Sequence, residues 1–414
     1  MKNTRTRLWA GTAVAATAAL VLSACGAKAD ESGTAAAGES CIDTSGDSVK
    51  VGFLNSLSGT MAISEQTVAD SLALAAKEIN ADGGIDGKQL EVVQEDGASD
   101  PDTFAQKATQ LIQQDCVAAV FGGWTSASRK AMLPVFESNG SILFYPVQYE
   151  GLESSPNIFY TGATTNQQII PALDYLAEQG TTSLYLVGSD YVFPRTANKI
   201  IRQYAEAHDI EILGEDYLPL GETNGVSTIV NKVKKAGADA VFNTFNGDQN
   251  VAFFKEYKNV GLSAEQMPVV SVSIAEEEVP GVGVANLVGQ LTAWNYYQTV
   301  DTPENAAFVK AFKAEYGQDR VTSDPMEAAY NSLYLYKEMV EKAGSFEPAD
   351  VIDASEGVTF AAPEGEITVH ENHHVSKTFL MGKVNKDGLI DVIDSSDGPI
   401  EPDPFLETYD WWQG

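Results

Sequence analysis

Short apolar runs alternate along this chain with longer segments in which apolar residues recur every three or four positions. The first run covers residues 49–54, and the segment after it carries an apolar stripe from Val68 to Ile79. Runs that are apolar throughout are typical of strands buried on both faces, and the longer spacing is typical of the helices that cover them. The pattern therefore predicts an α/β fold with parallel sheets.

The alternation of strand and helix occurs in two series. The first predicts strands at 49–54, 90–94, 117–121, 142–145 and 158–160, and the second predicts strands at 184–187, 211–217, 240–243 and 269–272. The chain then returns to helix at 303–344 and ends in a strand-rich tail. We expect two Rossmann-like lobes joined by a hinge, one from residues 48–163 plus 297–344 and the other, with the tail, from 164–296 plus 345–414.

The first 24 residues have the features of an export leader. Basic residues precede an apolar run at 8–22 that is short for a membrane span, and the small residues before Cys25 resemble a bacterial lipobox. We expect residues 1–24 to be a lipoprotein signal peptide and Cys25 to be lipidated, which would anchor the protein outside the cytoplasm at the cell surface or in the periplasm. The alternative is a secretory peptide with an incidental cysteine. Residues 25–47 are small and polar, which predicts a flexible tether.

Charge and cysteine content narrow the choice of partners. The formal net charge is −32, and a field of that sign repels phosphate backbones, which argues against nucleic acid but has little effect on a neutral solute. Beyond Cys25, the remaining cysteines are Cys41 and Cys116. An exported chain with two such thiols is expected to form one disulfide, the alternative being two buried free thiols.

Three loops that follow predicted strands combine aromatic and small polar residues. They cover residues 122–129, 144–151 and 188–195. Ligands of open parallel sheets bind outside the carboxyl ends of the strands. Ring faces exclude water there while a few polar groups orient the ligand, so this mixture is suited to a small uncharged polar molecule.

At these loops the chain resembles the receptors of urea uptake systems, within the amide and branched-chain amino-acid binding group of periplasmic-type proteins. The resemblance extends from Val49 to about Phe405 and includes, in order, FYPVQYEG, SPNIFYTGATTNQQIIPA, GSDYVFPRTAN, NTFNGD, DPMEAAY and the NHH near the end. It implies a type I, two-lobed receptor that closes on urea and passes it to an ABC permease without catalysis. We expect a monomer with no cofactor.

The resemblance also implies the residues that contact the ligand. They are Ser64, Glu65, Trp124, Ser126, Tyr145, Gln148, Tyr191, Asn246, Asp248 and Glu276. Urea has four N–H donors and one carbonyl acceptor, so its pocket should be rich in acceptors, with a hydroxyl or backbone N–H for the oxygen. Val147 stands where amide-binding relatives have a hydroxyl. The alternatives are core packing for Trp124 and Tyr191, helix capping for Ser126, and solvent exposure for any glutamate of 276–278.

Other chemistry has weaker support in the sequence. The histidines of 370–374 lack a nearby cysteine, so a hydrogen-bonded cluster is favoured over a metal site, and we expect no metal. There is no G-x-S-x-G turn or H-E-x-x-H helix of a hydrolase, and no Walker lysine motif. The alternatives are a receptor for short-chain amides or branched-chain amino acids, or a sensory ligand-binding subunit.

Overall fold

The computed structural model describes residues 40–414. Cys25, the leader and most of the predicted tether lie outside the described residues. Within residues 40–414, no helix combines the length and the apolar character that a membrane span requires. Residues 40–47 form neither helix nor strand, and Lys88 Nζ holds them through the carbonyls of Thr44 (2.6 Å) and Gly46 (2.8 Å).

The first sheet consists of five parallel strands. They are β1 (Ser48–Asn55), β2 (Gln89–Asp96), β3 (Val120–Gly122), β4 (Leu143–Tyr145) and β5 (Ile158–Tyr160), in the order β2-β1-β3-β4-β5. The intervening helices are α1 (Ala62–Ala81), α2 (Pro101–Gln113) and α3 (Ser126–Asn139). Local sequence sets their ends: Asp100 accepts the Thr103 N–H at the start of α2, and Gly140 ends α3 in the left-handed conformation.

The second sheet continues the same alternation. Its parallel strands are β6 (Ser183–Ser189), β7 (Glu211–Leu218), β8 (Ala240–Thr244), β9 (Val269–Ser271) and β10 (Leu291–Trp294). The helices of this lobe are α4 (Ile169–Glu178), α5 (Val192–Ala207), α6 (Val226–Ala236), α7 (Asp248–Asn259), α8 (Val279–Val282) and α9 (Val284–Leu287). The prediction of two α/β lobes with parallel sheets is confirmed.

The last third of the chain returns to the first lobe and then completes the second sheet. Its elements are α10 (Pro303–Tyr316), α11 (Asp324–Ala343), α12 (Pro348–Ala354), β11 (Thr359–Ala362), β12 (Gly365–Thr368), β13 (Lys377–Val384) and β14 (Ile390–Ile400). Strands β13 and β14 add antiparallel edges beside β10, giving the order β14-β13-β10-β9-β8-β6-β7. The chain thus passes between the two sheets three times, at 161–168, 295–302 and 369–376.

One part of the tail lies in a different lobe from the one expected. The apolar side chains of Val351, Ala362, Ile367 and Val369 belong to the core of the first lobe, although residues 345–414 are assigned to the second lobe from the sequence. Apolar periodicity identifies the buried face of an element but not the sheet that this face covers. Only the segment from β13 onward extends the second sheet.

The structure joins Cys41 to Cys116 by a disulfide, with 75 residues of sequence separation. Replacing both cysteines with serine should lower the free energy of unfolding by about 4 kcal/mol on the chain-entropy estimate, because the unfolded chain loses its constraint. Ligand affinity should not change, since both cysteines precede the amino ends of their strands. Calorimetric melting of the double variant tests the stability change, and unchanged melting would contradict it.

Candidate functional site

The carboxyl ends of strands from both sheets face each other and position most of the predicted site residues. In the first lobe Ser64 and Glu65 lie at the start of α1, Trp124 and Ser126 follow β3, and Tyr145 and Gln148 lie at and beyond the end of β4. In the second lobe Tyr191 precedes α5, Asn246 follows β8 and Glu276 follows β9. All of these side chains are buried except that of Tyr191, which is half-buried.

Two side-chain hydrogen bonds join the facing surfaces of the lobes. The Ser64 hydroxyl donates to Glu278 Oε1 at 2.5 Å, and the Gln148 amide donates to the Val272 carbonyl at 2.7 Å. The backbone also approaches closely, because a Cβ on Gly281 would lie 2.7 Å from the Ile63 side chain. The lobes are therefore in direct contact, and the polar groups between them are shielded from solvent.

A buried arginine organises the loops of the first lobe. Arg129 Nε donates to Glu153 at 2.6 Å, and its Nη2 donates to Glu150 at 3.1 Å. Its guanidinium also lies over the rings of Tyr145 and Tyr149, at 5.0 and 4.5 Å from their centroids. Burial opposes ionisation of Glu153, but Arg129 outweighs it and lowers the pKa of that carboxyl to about 2. This ion-pair network could not be predicted from the sequence, in which Arg129 is marked only by its place after a loop of small residues.

This network uses donors that were assigned to the ligand. The Ser126 hydroxyl donates to Glu150 at 2.5 Å and accepts from Arg129 at 2.9 Å. The Tyr145 hydroxyl donates to the Trp124 carbonyl. The Trp124 ring is 5% exposed and belongs to the first core, as the core-packing alternative anticipates. Ser126 and Tyr145 therefore shape the site but have no free proton for a ligand oxygen.

Tyr191, a predicted contact from the second lobe, lies directly before α5. Burial raises the pKa of its phenol, and Tyr145 and Glu150 of the first lobe raise it further. Helix α5, which begins just after Tyr191, contacts helix α3 of the first lobe, which carries Ser126 and Arg129. Among residues 40–414 no hydrogen bond engages its hydroxyl, which is thus a donor that the site can offer.

Three of the predicted acceptors have a buried oxygen with no partner among the described residues. Glu65 Oε2 accepts the Ser56 N–H at 2.6 Å and Glu276 Oε1 accepts the Gln298 N–H at 2.7 Å, while the other oxygen of each carboxyl is unbonded. Gln148 Oε1 is also unbonded. Burial raises the pKa of Glu65 and of Glu276 to about 8. Such groups normally find a partner, because an unpaired buried polar atom costs about 1–3 kcal/mol.

Two predicted contacts in the second lobe differ from this pattern. Asp248 is exposed at the first turn of α7, in a surface groove with Thr223 and Lys255, so the structure does not bring it to the other candidates. The Asn246 amide donates to the Thr244 carbonyl at 3.1 Å and shapes its own loop. The position of a residue after a strand could not predict whether its side chain faces the other lobe or the solvent, because a side chain at the start of a helix can point in either direction.

The glutamates of 276–278 are all buried, so the expectation of solvent exposure for any of them is wrong. Their segment lies between β9 and the short helix α8, where it is covered by the start of α1. A run of three acidic residues normally indicates a surface exposed to solvent. Here the contact with the first lobe buries the run, and the sequence does not reveal that contact.

Contrary to the sequence analysis, residues 370–374 do spell H-E-x-x-H, but the segment forms a turn and not the helix that the zinc motif requires. The turn is closed by the pairing of Val369 with Val375. His374 stacks on Tyr160 and bonds to the Tyr149 hydroxyl at 2.6 Å, and burial lowers its pKa to about 3. Within residues 40–414 no group of three or more histidine, cysteine or acidic residues is arranged to hold a metal ion. The cluster supports the first-lobe loops.

Comparisons with known proteins place this geometry among solute receptors. The family described as periplasmic binding protein domain matches residues 49–410. The Leu/Ile/Val-binding protein homolog 6 of Brucella melitensis is 24% identical over 348 residues, which is 82% of this chain and 88% of that protein. A leucine-, isoleucine-, valine-, threonine- and alanine-binding protein of Pseudomonas aeruginosa is 25% identical and covers 81% of this chain and 90% of its own length.

Solved structures of the same fold superpose over most of the chain. A solute-binding protein of an ABC transporter from Rhodopseudomonas palustris HaA2, in complex with p-hydroxybenzoic acid, has a TM-score of 0.80 at 24% identity and covers 87% of this chain and all of its own (100%). The branched-chain amino acid transporter substrate binding protein of Streptococcus pneumoniae, in complex with isoleucine, has a TM-score of 0.76 at 23% identity and covers 86% and 100%. At these identities the likeness concerns the fold.

Replacing Arg129 with methionine should destabilise the protein strongly, because Glu150 and Glu153 would keep buried charges without their cation. Loss of one partner from such a buried network costs about 3–5 kcal/mol. Lys130→Met is the matched control, since Lys130 bonds the same Glu153 at 2.6 Å from a side chain that is 41% exposed and should contribute less than about 1 kcal/mol. Calorimetric melting that shows equal losses for the two variants would contradict the assigned role of Arg129.

The stability that Glu65 and Glu276 contribute should fall as the pH rises above about 4.5 and should be lost by about pH 8. The pKa of each carboxyl is higher in the folded state than in the unfolded state. Its contribution to stability is therefore complete below the unfolded pKa and is lost as the pH rises through the folded pKa. The double variant Glu65→Gln, Glu276→Gln removes both titrations. Its melting temperature should vary less between pH 5 and pH 8 than that of the unchanged protein, and parallel curves would exclude this contribution.

Proposed function

We propose that this chain, which belongs to the periplasmic binding protein family, is an extracytoplasmic receptor that captures urea between its two lobes and delivers it to an ABC permease. Proteins of the same fold include the solute-binding protein of an ABC transporter from Rhodopseudomonas palustris HaA2. The finer assignment to urea rests on the resemblance in the three ligand loops and on the chemistry of the facing surfaces. We also propose lipidation of Cys25, which would keep the receptor close to the permease.

The observation that carries the proposal is the set of unpartnered acceptors buried on both lobes. Glu65 and Gln148 contribute from the first lobe, and Glu276 contributes from the second. Urea can satisfy several such acceptors at once because it has N–H groups on two sides of a small planar molecule. The Tyr191 hydroxyl is a donor for its oxygen. Binding by a ligand that bridges the lobes would favour their contact, since only that state offers all of these partners.

The charge of the site favours a neutral ligand over an acid. The hydroxyl of Ser126 and the guanidinium of Arg129 already bond to Glu150. A ligand carboxylate would need several donors and would find these two occupied. Urea needs a donor only for its single carbonyl oxygen, and its remaining polar groups are N–H donors.

A branched-chain amino acid is the second candidate. The Brucella and Pseudomonas relatives are named for such ligands, and the Streptococcus structure contains isoleucine. The buried carboxyl groups of Glu65 and Glu276 are suited to the ammonium of an amino acid. Its carboxylate would need a further set of free donors, for which Tyr191 is the available side chain among those described above.

Titration calorimetry with urea, acetamide, leucine and 4-hydroxybenzoate separates these ligands. We expect heat with urea and a weaker affinity for acetamide, which has one amino group fewer. Tyr191→Phe should weaken urea binding roughly three- to tenfold through loss of one hydrogen bond, with the melting temperature of the unliganded protein unchanged because the hydroxyl bonds no described residue. Heat with leucine and none with urea would establish the second candidate instead.

A further inference from the structure

Glu277 lies between the lobes and is only 8% exposed. Even so, neither of its carboxyl oxygens is hydrogen-bonded to a described residue. Its neighbours differ from it. Glu276 accepts the Gln298 N–H, and Glu278 accepts both the Ser64 hydroxyl and the Ala275 N–H at 2.9 Å. Glu277 is thus the member of the run whose hydrogen-bonding capacity is unused.

The surroundings of Glu277 place it against the first lobe. The adjacent Glu278 bonds to Ser64 at the start of α1, and the hydroxyl of Ser323, just before α11, is near enough to lower the pKa of Glu277. Helices α1 and α11 pack side by side in the first lobe. The segment that carries Glu277 therefore lies against the start of α1, the turn that also carries Glu65.

No described cation neutralises this carboxyl. The buried cations Arg129 and Lys377 bond to other glutamates, Lys377 to Glu364 at 2.5 Å. The titratable groups that act on Glu277 are acidic and belong to its own segment, Glu278 and Glu276. Burial, and then the charge of Glu278, raise the pKa of Glu277 well above its usual value. A purely structural carboxyl in this place would leave two polar atoms unpaired, which is costly.

We propose that Glu277, as a neutral carboxylic acid, binds the amide edge of the ligand, accepting an N–H at one oxygen and donating its O–H to the ligand carbonyl. This proposal rests on the proposed function and names the chemical group that the site selects, which is a carbonyl bearing an adjacent N–H. The O–H of Glu277 also gives the ligand carbonyl a hydrogen-bond donor, which Ser126 and Tyr145 cannot provide because their protons are already bonded. The remaining N–H groups of urea are then directed to Glu65 and Gln148.

The proposal distinguishes two substitutions of similar size. Glu277→Gln keeps one donor and one acceptor in the same arrangement, so urea affinity should stay within about threefold of the unchanged protein. Glu277→Met removes both and should weaken urea binding roughly ten- to a hundredfold, since two hydrogen bonds are lost in a buried site. Glu265→Gln and Glu265→Met, at an exposed position of the same lobe, are the matched controls and should bind urea normally.

Calorimetric titration with urea at pH 7, together with melting of each unliganded variant, decides the question. Equal losses in the glutamine and methionine variants would overturn the neutral-acid role, because an ionised carboxylate is not replaced by an amide. Full affinity in the methionine variant would overturn any contact. A lower melting temperature of unliganded Glu277→Met would indicate a structural role instead, since removal of an unpaired carboxyl should leave stability equal or higher.

A pH series adds a readout that packing would not change. Between pH 6 and pH 9 the affinity of the unchanged protein should fall more steeply than that of Glu277→Gln, because only the unchanged protein loses the donated proton at this position. Equal slopes would contradict the proposal. If the unchanged protein gives no heat with urea at any pH, the assignment of urea itself fails, and that result is distinct from a failure confined to the variants.

Discussion

The contact between the lobes buries more carboxyl groups than cations. Ser64 and Gln148 bring the two surfaces together through bonds to Glu278 and to the Val272 carbonyl, and this contact covers the whole 276–278 segment. Carboxyl groups in such a place are stable when they are neutral or hydrogen-bonded, since an isolated buried charge is very costly. The contact between the lobes therefore determines which carboxyl groups must be neutral or hydrogen-bonded.

In the first lobe, buried carboxylates are stabilised by a cation. Arg129 neutralises Glu150 and Glu153, orders Ser126, and lies over two tyrosine rings. That network is complete within the lobe, so it gives the ligand loops a fixed shape whether or not the second lobe is near. Outside this network, Glu65 and Gln148 of the first lobe and Glu276 and Glu277 of the second keep buried oxygens that no described residue bonds. These groups, on both surfaces, have hydrogen-bonding capacity left for a ligand.

Much of the fold could be predicted from the chain because periodicity reports burial directly. Runs such as 49–54 and 240–243 became central strands, and the two series became two sheets. The lobe that contains Val351 and Ile367 could not be predicted, because their pattern shows that they are buried without showing against what. For the site, too, the sequence indicated the position of residues along the chain but not their partners in space. The predicted loops do follow the carboxyl ends of their strands, but Asp248 faces solvent. The partners that occupy Ser126 depend on Arg129 and Glu150, which come from different loops.

Selectivity in this arrangement would depend on closure as much as on individual contacts. Glu65 and Gln148 belong to one lobe and Glu276 and Glu277 to the other, so a ligand too small or too poor in N–H groups to reach both surfaces leaves buried oxygens unpaired. The cost of those unpaired oxygens falls on the lobe contact itself, because separation of the lobes returns them to water. A ligand with donors on two sides removes that cost on both surfaces together. Affinity and closure are then two aspects of one equilibrium, and a ligand shifts it only by the difference between its binding to the closed and to the open form.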